Sequence, residues 1–597
     1  MAEFEVVVIG SGAGGAPVAH ELARAGKGVV VLEKGPLLRP QYQTPDGVSD
    51  FKRDEMFATG PEKRITVEGM ANRGESFYSS HVEPDLNDEP HVYRGPDDRD
   101  RATIEGYTAQ VVGGGTQLYG AVSLRFFPED FTLASFNRGR TDLREDPRGD
   151  IQRETRDWPF TYDQLESYYA KAERLIGING TVAGQRKPFS ADHYQKPVSP
   201  NPISTYVEAG MDALGLRRYR TPLAVITEDH APSGRSAPTD PDTVKTAFVN
   251  RYGDPLGLKS NTWVSLLSPV ADLPNFQLRP NSHVTHLASR GDRVTTVNYV
   301  DGAGRPREVS ADLVVVACSA IESVRLLKLS AQAGGDFAER IDGNGLLGAY
   351  FLTHCFGGAE ARMPRRYDKA LSLDSDWATD AGGEPDFLRE HGLWAGATMY
   401  NNTSDQALPI SLARTHGAAD LDTVWKVFVN DNQLVGEAMN RWLDADLGTR
   451  LSVSFMANQV PLRSNRIELH PSVTDKWGRP VAYILKQWHA HDRYLMDVMA
   501  RRCADIIKAG SGVEPESPGG AYMAENALAR IANHILGGAR FGTDPGDSVL
   551  DPTCRAWQFD NLYVTDGSCM PTSGGANPTL TIQANAFRVA DHLLQRL

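Results

Sequence analysis

The stretch Glu5-Val-Val-Val-Ile-Gly-Ser-Gly-Ala-Gly-Gly-Ala-Pro-Val-Ala-His20 decides the fold of this chain. Its apolar start predicts a buried strand, Gly10–Gly15 forms a turn, and Ala16–Ala25 has the spacing of a helix. A second apolar run, Val29–Leu32, follows at once and ends at Glu33. This order predicts a βαβ unit, and with it an α/β fold.

The glycines of this turn have the spacing of a dinucleotide site, Gly10-x-Gly12-x-x-Gly15. Such glycines allow a tight turn, close approach of a pyrophosphate, and contact between helix and strand, while an acid near Glu33 accepts hydrogen bonds from a ribose. The motif alone does not separate FAD from NAD, and its place near residue 10 favours FAD. The dinucleotide contacts expected here are Gly10, Gly12, Ala13, Gly14, Gly15, Glu33 and Lys34.

The overall composition excludes several classes of protein. The 597 residues exceed one ordinary domain, and 41% hydrophobic with 23% charged residues is typical of globular proteins. With 62 basic and 76 acidic residues, the chain is a poor candidate for nucleic-acid binding. Five widely spaced cysteines show no metal or disulfide pattern. We expect no metal, no secretory signal, no membrane segment and a cytoplasmic location.

Two further clusters carry candidate chemistry. Val111–Gly120 holds three consecutive glycines flanked by apolar residues, which suits close backbone contact with a polar ligand. Near the C-terminus, His534 precedes a Gly-Gly turn, and Asn577 lies in a loop rich in Gly, Ser and Pro. An imidazole, with an unperturbed pKa of about 6.5, suits proton transfer near neutral pH. An amide both donates and accepts a hydrogen bond without competing for the proton.

In their order along the chain, these motifs resemble those of the glucose–methanol–choline (GMC) oxidoreductases, flavoproteins that oxidise alcohols. Asn281–Val284, Val315–Leu327 and Asn344–His354 are similar to further family segments. Within the family, Asp157–Tyr169 and the Asn577 segment resemble a branch of pyranose oxidases, glycoside 3-oxidases and sugar-acid dehydrogenase flavoproteins.

The resemblance implies a two-domain α/β (α+β) protein. A Rossmann-like FAD-binding domain would comprise residues 1–150 (with a solvated insertion at 40–105), 256–345 and 531–597, the last with the catalytic residues. An antiparallel-sheet substrate-binding domain would comprise residues 151–255 and 346–530. The insertion could serve as a lid over a large substrate.

The resemblance also implies site residues. His534 would take the hydroxyl proton while a hydride passes to flavin N5, and Asn577 would hold the hydroxyl. Further cofactor contacts would be Gly113, Gly114, Thr116, Val284, Cys318, Asp566, Gly567, Asn577 and Thr579. Weaker substrate candidates are Tyr119, Trp394, Tyr400 and Gln459. FAD is expected to be non-covalent, because Leu118 stands where fungal pyranose oxidases carry the flavin-linked histidine.

The expected activity is oxidation of a secondary hydroxyl of a sugar or glycoside to a keto sugar. Oxygen, or a quinone or dye, could accept the electrons. The alternatives are a sugar or polyol dehydrogenase subunit that uses a quinone or cytochrome, and a flavin-binding protein with vestigial activity. The oligomeric state stays open.

Overall fold

The computed structural model describes residues 2–50, 89–95, 98–103, 109–240, 243–244, 254–367, 373, 375–402, 433–446, 448–515, 517–518 and 534–597. Most of the predicted insertion at 40–105, and with it the proposed lid, lies outside these residues.

The strands and helices follow in chain order. The strands are β1 Phe4–Ile9, β2 Val29–Leu32, β3 His91–Arg94, β4 Asp100–Thr103, β5 Tyr219–Arg220, β6 Phe276–Arg279, β7 His283–Arg290, β8 Arg293–Val300, β9 Pro306–Val309, β10 Ala311–Val316, β11 His354–Arg362, β12 Trp377–Thr379, β13 Ala397–Asn402, β14 Arg450–Asn458, β15 Arg466–Thr474, β16 Pro480–Leu485, β17 Ser517–Pro518 and β18 Leu562–Val564. The α-helices are α1 Ala16–Arg24, α2 Leu133–Phe136, α3 Asp150–Glu154, α4 Tyr162–Ile176, α5 Thr205–Ala213, α6 Ala320–Gln332, α7 Phe337–Asp342, α8 Pro385–Glu390, α9 Glu437–Asp446, α10 Ala490–Ser511 and α11 Thr579–Arg596.

A parallel sheet of five strands forms the first core. Its order is β18-β10-β1-β2-β6, so β2 and β10 lie on opposite sides of β1. Val6, Val7 and Val8 of β1 are 0% exposed, as expected of a parallel strand covered on both faces. Because the strand order reverses beside β1, a crevice opens where β1 and β10 end, which is where α/β sheets bind ligands. The predicted βαβ unit is confirmed.

An antiparallel sheet of six strands forms the second core. Its order is β17-β11-β14-β13-β12-β5, and the long helix α10 packs on β11 and β14. A three-stranded antiparallel sheet, β7-β8-β9, extends the first core. The chain is thus an α/β protein with one parallel and one large antiparallel sheet.

A four-stranded sheet, β15-β16-β3-β4, joins segments far apart in the sequence. His91 and Val92 of β3 are buried, so the expectation of a solvated insertion is wrong for this part of 40–105. Buried ion pairs hold the segment in place. Arg325 Nη1 lies 3.0 Å from Glu89 Oε1, and Arg325 Nη2 lies 2.7 Å from Asp475 Oδ2. Each of these buried charges lies beside an opposite charge, because burial of an unpaired charge would cost much free energy.

Helices α5 and α10 cross through a pair of glycines. A Cβ on Gly210 would lie 2.0 Å from the Ile506 carbonyl oxygen, and one on Gly510 would lie 1.8 Å from the Tyr206 carbonyl oxygen. Both are closer than a real Cβ approaches, so the crossing requires hydrogen at both positions.

Gly210→Ala and Gly510→Ala should therefore each lower the midpoint of thermal unfolding. Overpacking typically costs about 1–3 kcal/mol, which exceeds the gain of about 1 kcal/mol that alanine brings to a helix. In the exposed control Gly546→Ala, the nearest atom to the new Cβ is a side-chain oxygen of Asp544 at 3.3 Å. Equal or raised midpoints for both helix variants would contradict this crossing.

Candidate active site

The turn after β1 brings three backbone segments into contact. Gly10 has a φ of 101°, and a Cβ on it would lie 2.3 Å from the Ala317 carbonyl oxygen at the end of β10. A Cβ on Gly14 would lie 2.7 Å from the Asp566 Cα. The turn after β1, the turn after β10 and the segment after β18 thus meet at the N-terminus of α1, whose free N–H groups favour a phosphate.

Glu33 ties the first turn together at the end of β2. Its carboxylate accepts hydrogen bonds from the Ser11 N–H at 3.1 Å, the Ser11 hydroxyl at 2.6 Å and the Gly35 N–H at 3.0 Å. Burial raises the pKa of Glu33 despite these donors. Glu33 thus has a structural task besides the predicted ribose contact, although it also lines the cavity described next.

A cavity runs from Glu33 and His283 at one end to His534 and Pro578 at the other. The predicted contacts that line it are Gly10, Gly12, Ala13, Gly14, Glu33, Lys34, Gly114, Thr116, Val284, Cys318, Asp566, Gly567, Thr579 and His534. The sequence predictions therefore converge on one cleft, although their segments are scattered over the whole chain.

Asp566 links the cavity wall to helix α6. Its Oδ1 accepts hydrogen bonds from the Ser568 N–H at 2.8 Å and the Ser568 hydroxyl at 2.6 Å, and its Oδ2 accepts one from the Ser323 hydroxyl. Burial raises the pKa of Asp566. Ser319, just before α6, also lines the cavity and has a φ of 73°. A non-glycine residue in this conformation is strained, and such strain clusters at functional sites.

These residues fit an extended dinucleotide such as FAD. The glycines leave room for backbone contact, and the helix N-terminus favours a pyrophosphate. At the far end, Asn577 is only 8% exposed, and its Oδ1 has no hydrogen-bond partner among the described residues. A buried acceptor left in this state favours a ligand with a hydroxyl or N–H group.

Two histidines and an amide lie at this far end. Asn577 Nδ2 is 3.5 Å from His534 Nε2, and the ring centroid of His354 is 5.0 Å from that of His534. His354 is 0% exposed, and its ring lies against the backbone of Ser573, Gly574 and Ala576. Burial, and then the neighbouring His534, lower the pKa of His354. We conclude that His354 is neutral.

Two buried polar side chains, Asp130 and Asn458, hold the loop before Asn577. Asp130 Oδ2 accepts hydrogen bonds from the Gly575 N–H at 3.0 Å and the Phe127 N–H at 2.9 Å. Asp130 Oδ1 accepts one from Asn458 Nδ2 at 2.8 Å, and Asn458 Oδ1 accepts one from the Gly574 N–H at 2.6 Å. Burial raises the pKa of Asp130 to about 6. Asp130 and Asn458 thus fix the backbone that carries Asn577.

Sequence motifs did not predict the places of His354 and Asp130 in the site, and they indicated Asn458 only as one of the amides suited to a sugar. His354 was quoted only within a family segment, and Asp130 follows Arg125-Phe-Phe-Pro-Glu without any motif of its own. Alternation in β14 could have shown Asn458 as an inward polar residue, but nothing local links it to the loop before Asn577.

The remaining predicted residues lie away from the cavity lining. Trp394 and Tyr400 are buried in the two hydrophobic cores. Gln459 Oε1 accepts a hydrogen bond from the Thr353 N–H at 2.8 Å, and the Tyr119 hydroxyl donates to the Ser260 carbonyl at 3.0 Å. Gly15, Gly113 and Asn577 do not line the cavity themselves, but each adjoins a residue that does, namely Gly14, Gly114 and Pro578.

One group of side chains has the composition of a metal site. The ligand atoms of Asp146, Asp150 and His489 lie within 4.8 Å of one another. The Asp146 carboxylate, however, already accepts hydrogen bonds from the Asp150 N–H at 2.8 Å and the Ile151 N–H at 3.3 Å. This capping of α3 accounts for the group.

Two segments of this chain match known family models. Residues 5–61 match the family model of an FAD binding domain, and residues 461–586 match that of a GMC oxidoreductase. By structure, the chain is similar to pyridoxine 4-oxidase from Mesorbium loti, with a TM-score of 0.59, 16% identity and 99% of each chain covered. This similarity supports the two-domain α/β fold.

Three full-length relatives are oxidoreductases. The chain is 27% identical to 2-methyl-1,2-propanediol dehydrogenase of Mycolicibacterium austroafricanum, covering 100% of this chain and 96% of that protein. It is 28% identical to paromamine 6'-oxidase of Streptomyces fradiae, covering 98% and 90%. It is 25% identical to the fructose dehydrogenase large subunit of Gluconobacter japonicus, covering 99% and 98%.

Within the described part of the chain, no helix combines the length and the apolar character needed to cross a bilayer.

Asp130→Asn should lower the midpoint of thermal unfolding and slow turnover. With an amide at position 130, one N–H₂ group must face another donor, either Asn458 Nδ2 or a backbone N–H. A buried donor without an acceptor costs about 1–3 kcal/mol.

The exchange Asp130→Asn with Asn458→Asp provides the matched control. The amide at 130 can then donate to the carboxylate at 458, which still accepts from the Gly574 N–H. Differential scanning fluorimetry of the two single variants and the double variant measures the coupling. Additive losses in the double variant would contradict the arrangement of donors described here.

Proposed function

We propose that the chain is a GMC oxidoreductase that uses FAD to oxidise a secondary hydroxyl of a sugar or glycoside to a ketone. The observation that carries the proposal is the pair His534 and Asn577, whose Nε2 and Nδ2 atoms are 3.5 Å apart at one end of the cofactor cavity.

In this proposal His534 is the base. Its ring lines the cavity and lies beside an amide that is not acidic, so a substrate hydroxyl placed between the two can lose its proton only to the imidazole. The buried Oδ1 of Asn577 offers an acceptor that orients the hydroxyl before the proton moves. Bound FAD would supply the acceptor for the hydride.

The surroundings of His534 favour this proton transfer. The neighbouring ring, His354, is fully buried, and its pKa is lowered by burial and by His534. A neutral His354 does not repel the positive charge that develops on His534. The Asp130 and Asn458 contacts hold the loop of Asn577, so the amide does not have to be ordered when the substrate binds.

The assignment to sugars rests on the relatives and on the branch resemblance. A fructose dehydrogenase subunit and a paromamine oxidase match nearly the whole chain. In the proposed division into domains, the substrate would lie between the FAD-binding segments 1–150, 256–345 and 531–597 and the substrate-binding segments 151–255 and 346–530. We infer non-covalent FAD from Leu118.

A second candidate function is that of a dehydrogenase for a polyol or other small alcohol. The diol dehydrogenase relative covers 100% of this chain, which favours this candidate. In it the same His534 and Asn577 would act, but a quinone or a protein partner would replace oxygen as the electron acceptor. In both cases we propose a cytoplasmic location, which suits the five free thiols.

His534→Ala should retain FAD but slow the anaerobic reduction of the flavin by substrate by about 10²-fold or more, the usual worth of a general base. Stopped-flow absorbance measures the rate. His391→Ala is the matched control, because His391 lies outside the cavity lining and its Nδ1 only contacts the Phe387 carbonyl at 3.0 Å. A His534→Ala variant that reduces its flavin at the parent rate would make His534 structural.

Among sugars, glycosides, polyols and simple alcohols, a pyranose or glycoside should bleach the flavin fastest under anaerobic conditions. Reoxidation by oxygen, compared with a quinone, then separates oxidase from dehydrogenase. If small diols react efficiently and sugars do not, the second candidate replaces the first.

A further inference from the structure

Two of the five cysteines meet in the core behind the cofactor cavity. Asn585 Nδ2 on helix α11 lies 3.4 Å from Cys554 Sγ and 3.6 Å from Cys569 Sγ. The side chain of Asn585 therefore contacts both sulfurs, which places the two thiols in one cluster. Both side chains are 0% exposed, and both are free thiols. Their positions differ from those of Cys355 and Cys503, which are equally buried in the second core.

The environment makes the two sulfurs unequal. Arg588, one helical turn beyond Asn585, places Nη2 3.8 Å from Cys554 Sγ and 2.9 Å from Asn585 Oδ1. Burial alone would raise the pKa of Cys554, but the contact from Cys569 and the charge of Arg588 outweigh it and lower that pKa. Burial and the neighbouring Cys554 raise the pKa of Cys569 well above its usual value. A thiol next to a guanidinium, with a second thiol in the same cluster, is the arrangement of a peroxide-reactive pair.

One partly exposed side chain, Arg588, reaches Cys554. Its guanidinium lies beside the sulfur, donates to the Pro552 carbonyl at 2.8 Å and lies over the Phe160 ring at 4.1 Å. A displacement of this side chain would open the sulfur to a small molecule. Burial raises the pKa of both Cys355 and Cys503, and the charges of Lys486 and Arg502 near them do not offset it.

We propose that Cys554 and Cys569 form a redox-active dithiol that a hydroperoxide converts into an intramolecular disulfide. The Cys554 thiolate attacks the peroxide O–O bond, which yields a sulfenic acid at Cys554 and releases the second oxygen as water or an alcohol. The Cys569 thiol then displaces the sulfenic oxygen, which leaves as water as the S–S bond forms. The peroxide is reduced by two electrons, and the two thiols are oxidised by two.

The pair lies where such a bond would affect the cofactor site. Cys569 Sγ is 3.0 Å from the Asp566 carbonyl oxygen, and Asp566 and Gly567 line the cavity. The Cys554 carbonyl accepts a hydrogen bond from the Val564 N–H at 2.9 Å at the end of β18. The disulfide would therefore link the segment before β18 to the turn after it. The proposal does not depend on the substrate or on the electron acceptor of the enzyme.

The test uses the FAD-loaded protein and hydrogen peroxide. After graded exposure and removal of the peroxide by catalase, the protein is denatured in an alkylating reagent and its peptides are analysed by mass. We expect a disulfide between the Cys554 and Cys569 peptides at peroxide doses that leave Cys355 and Cys503 fully alkylated. Dithiothreitol should restore both thiols.

Variants separate the role of Cys554, which attacks the peroxide, from that of Cys569, which then forms the disulfide. In Cys569→Ser, dimedone should trap a sulfenic acid at Cys554, whereas in Cys554→Ser, Cys569 should stay alkylatable. Arg588→Gln should slow the disulfide, and Cys503→Ser should not change it. The proposal is overturned if all buried cysteines oxidise together, if Cys554 passes to sulfinic acid without a disulfide, or if both thiols survive doses that oxidise Cys318. The parent protein alone decides these outcomes, even if a variant fails to fold.

Discussion

The close approach of backbone to backbone at the first glycine turn is the constraint on which the rest of this structure depends. Gly10 lies against the carbonyl oxygen of Ala317, and Gly14 lies against Asp566. These contacts join segments from the start, the middle and the end of the chain around the N-terminus of one helix. Any Cβ there would push the segments apart, and the cleft that opens between them would lose its shape.

At the opposite end of the cleft, the site is built from polar contacts across the two cores. Asp130 and Asn458 hold the loop before Asn577, while β11 brings His354 against His534. Contacts from the second core thus also fix the position of the Asn577 amide relative to the imidazole of His534. Glycines at one end of the cleft and buried polar groups at the other suit a long cofactor, because its reactive part must be held in a fixed position against the catalytic side chains.

Local patterns in the sequence were enough to predict the βαβ unit of the first core. The strands Phe4–Ile9 and Val29–Leu32 and the helix Ala16–Arg24 lie where apolar runs and helical spacing predict them. The pairing of β3 and β4 with β15 and β16 could not be predicted, because periodicity says nothing about partners hundreds of residues away. For the same reason the roles of Asp130 and His354, and the placement of Cys554 and Cys569 beside Asn585, became visible only in the structure. Their residue types are unremarkable until the fold places them together.

The central claim is that the cleft holds one FAD per chain without a covalent bond, with the His534 and Asn577 pair at one end. The most direct measurement is acid precipitation of the purified protein, followed by identification and quantification of the flavin in the supernatant by mass and absorbance. The expected result is one unmodified FAD for each chain, all of it in the supernatant. A colourless protein, or a flavin that stays with the precipitate, would contradict it.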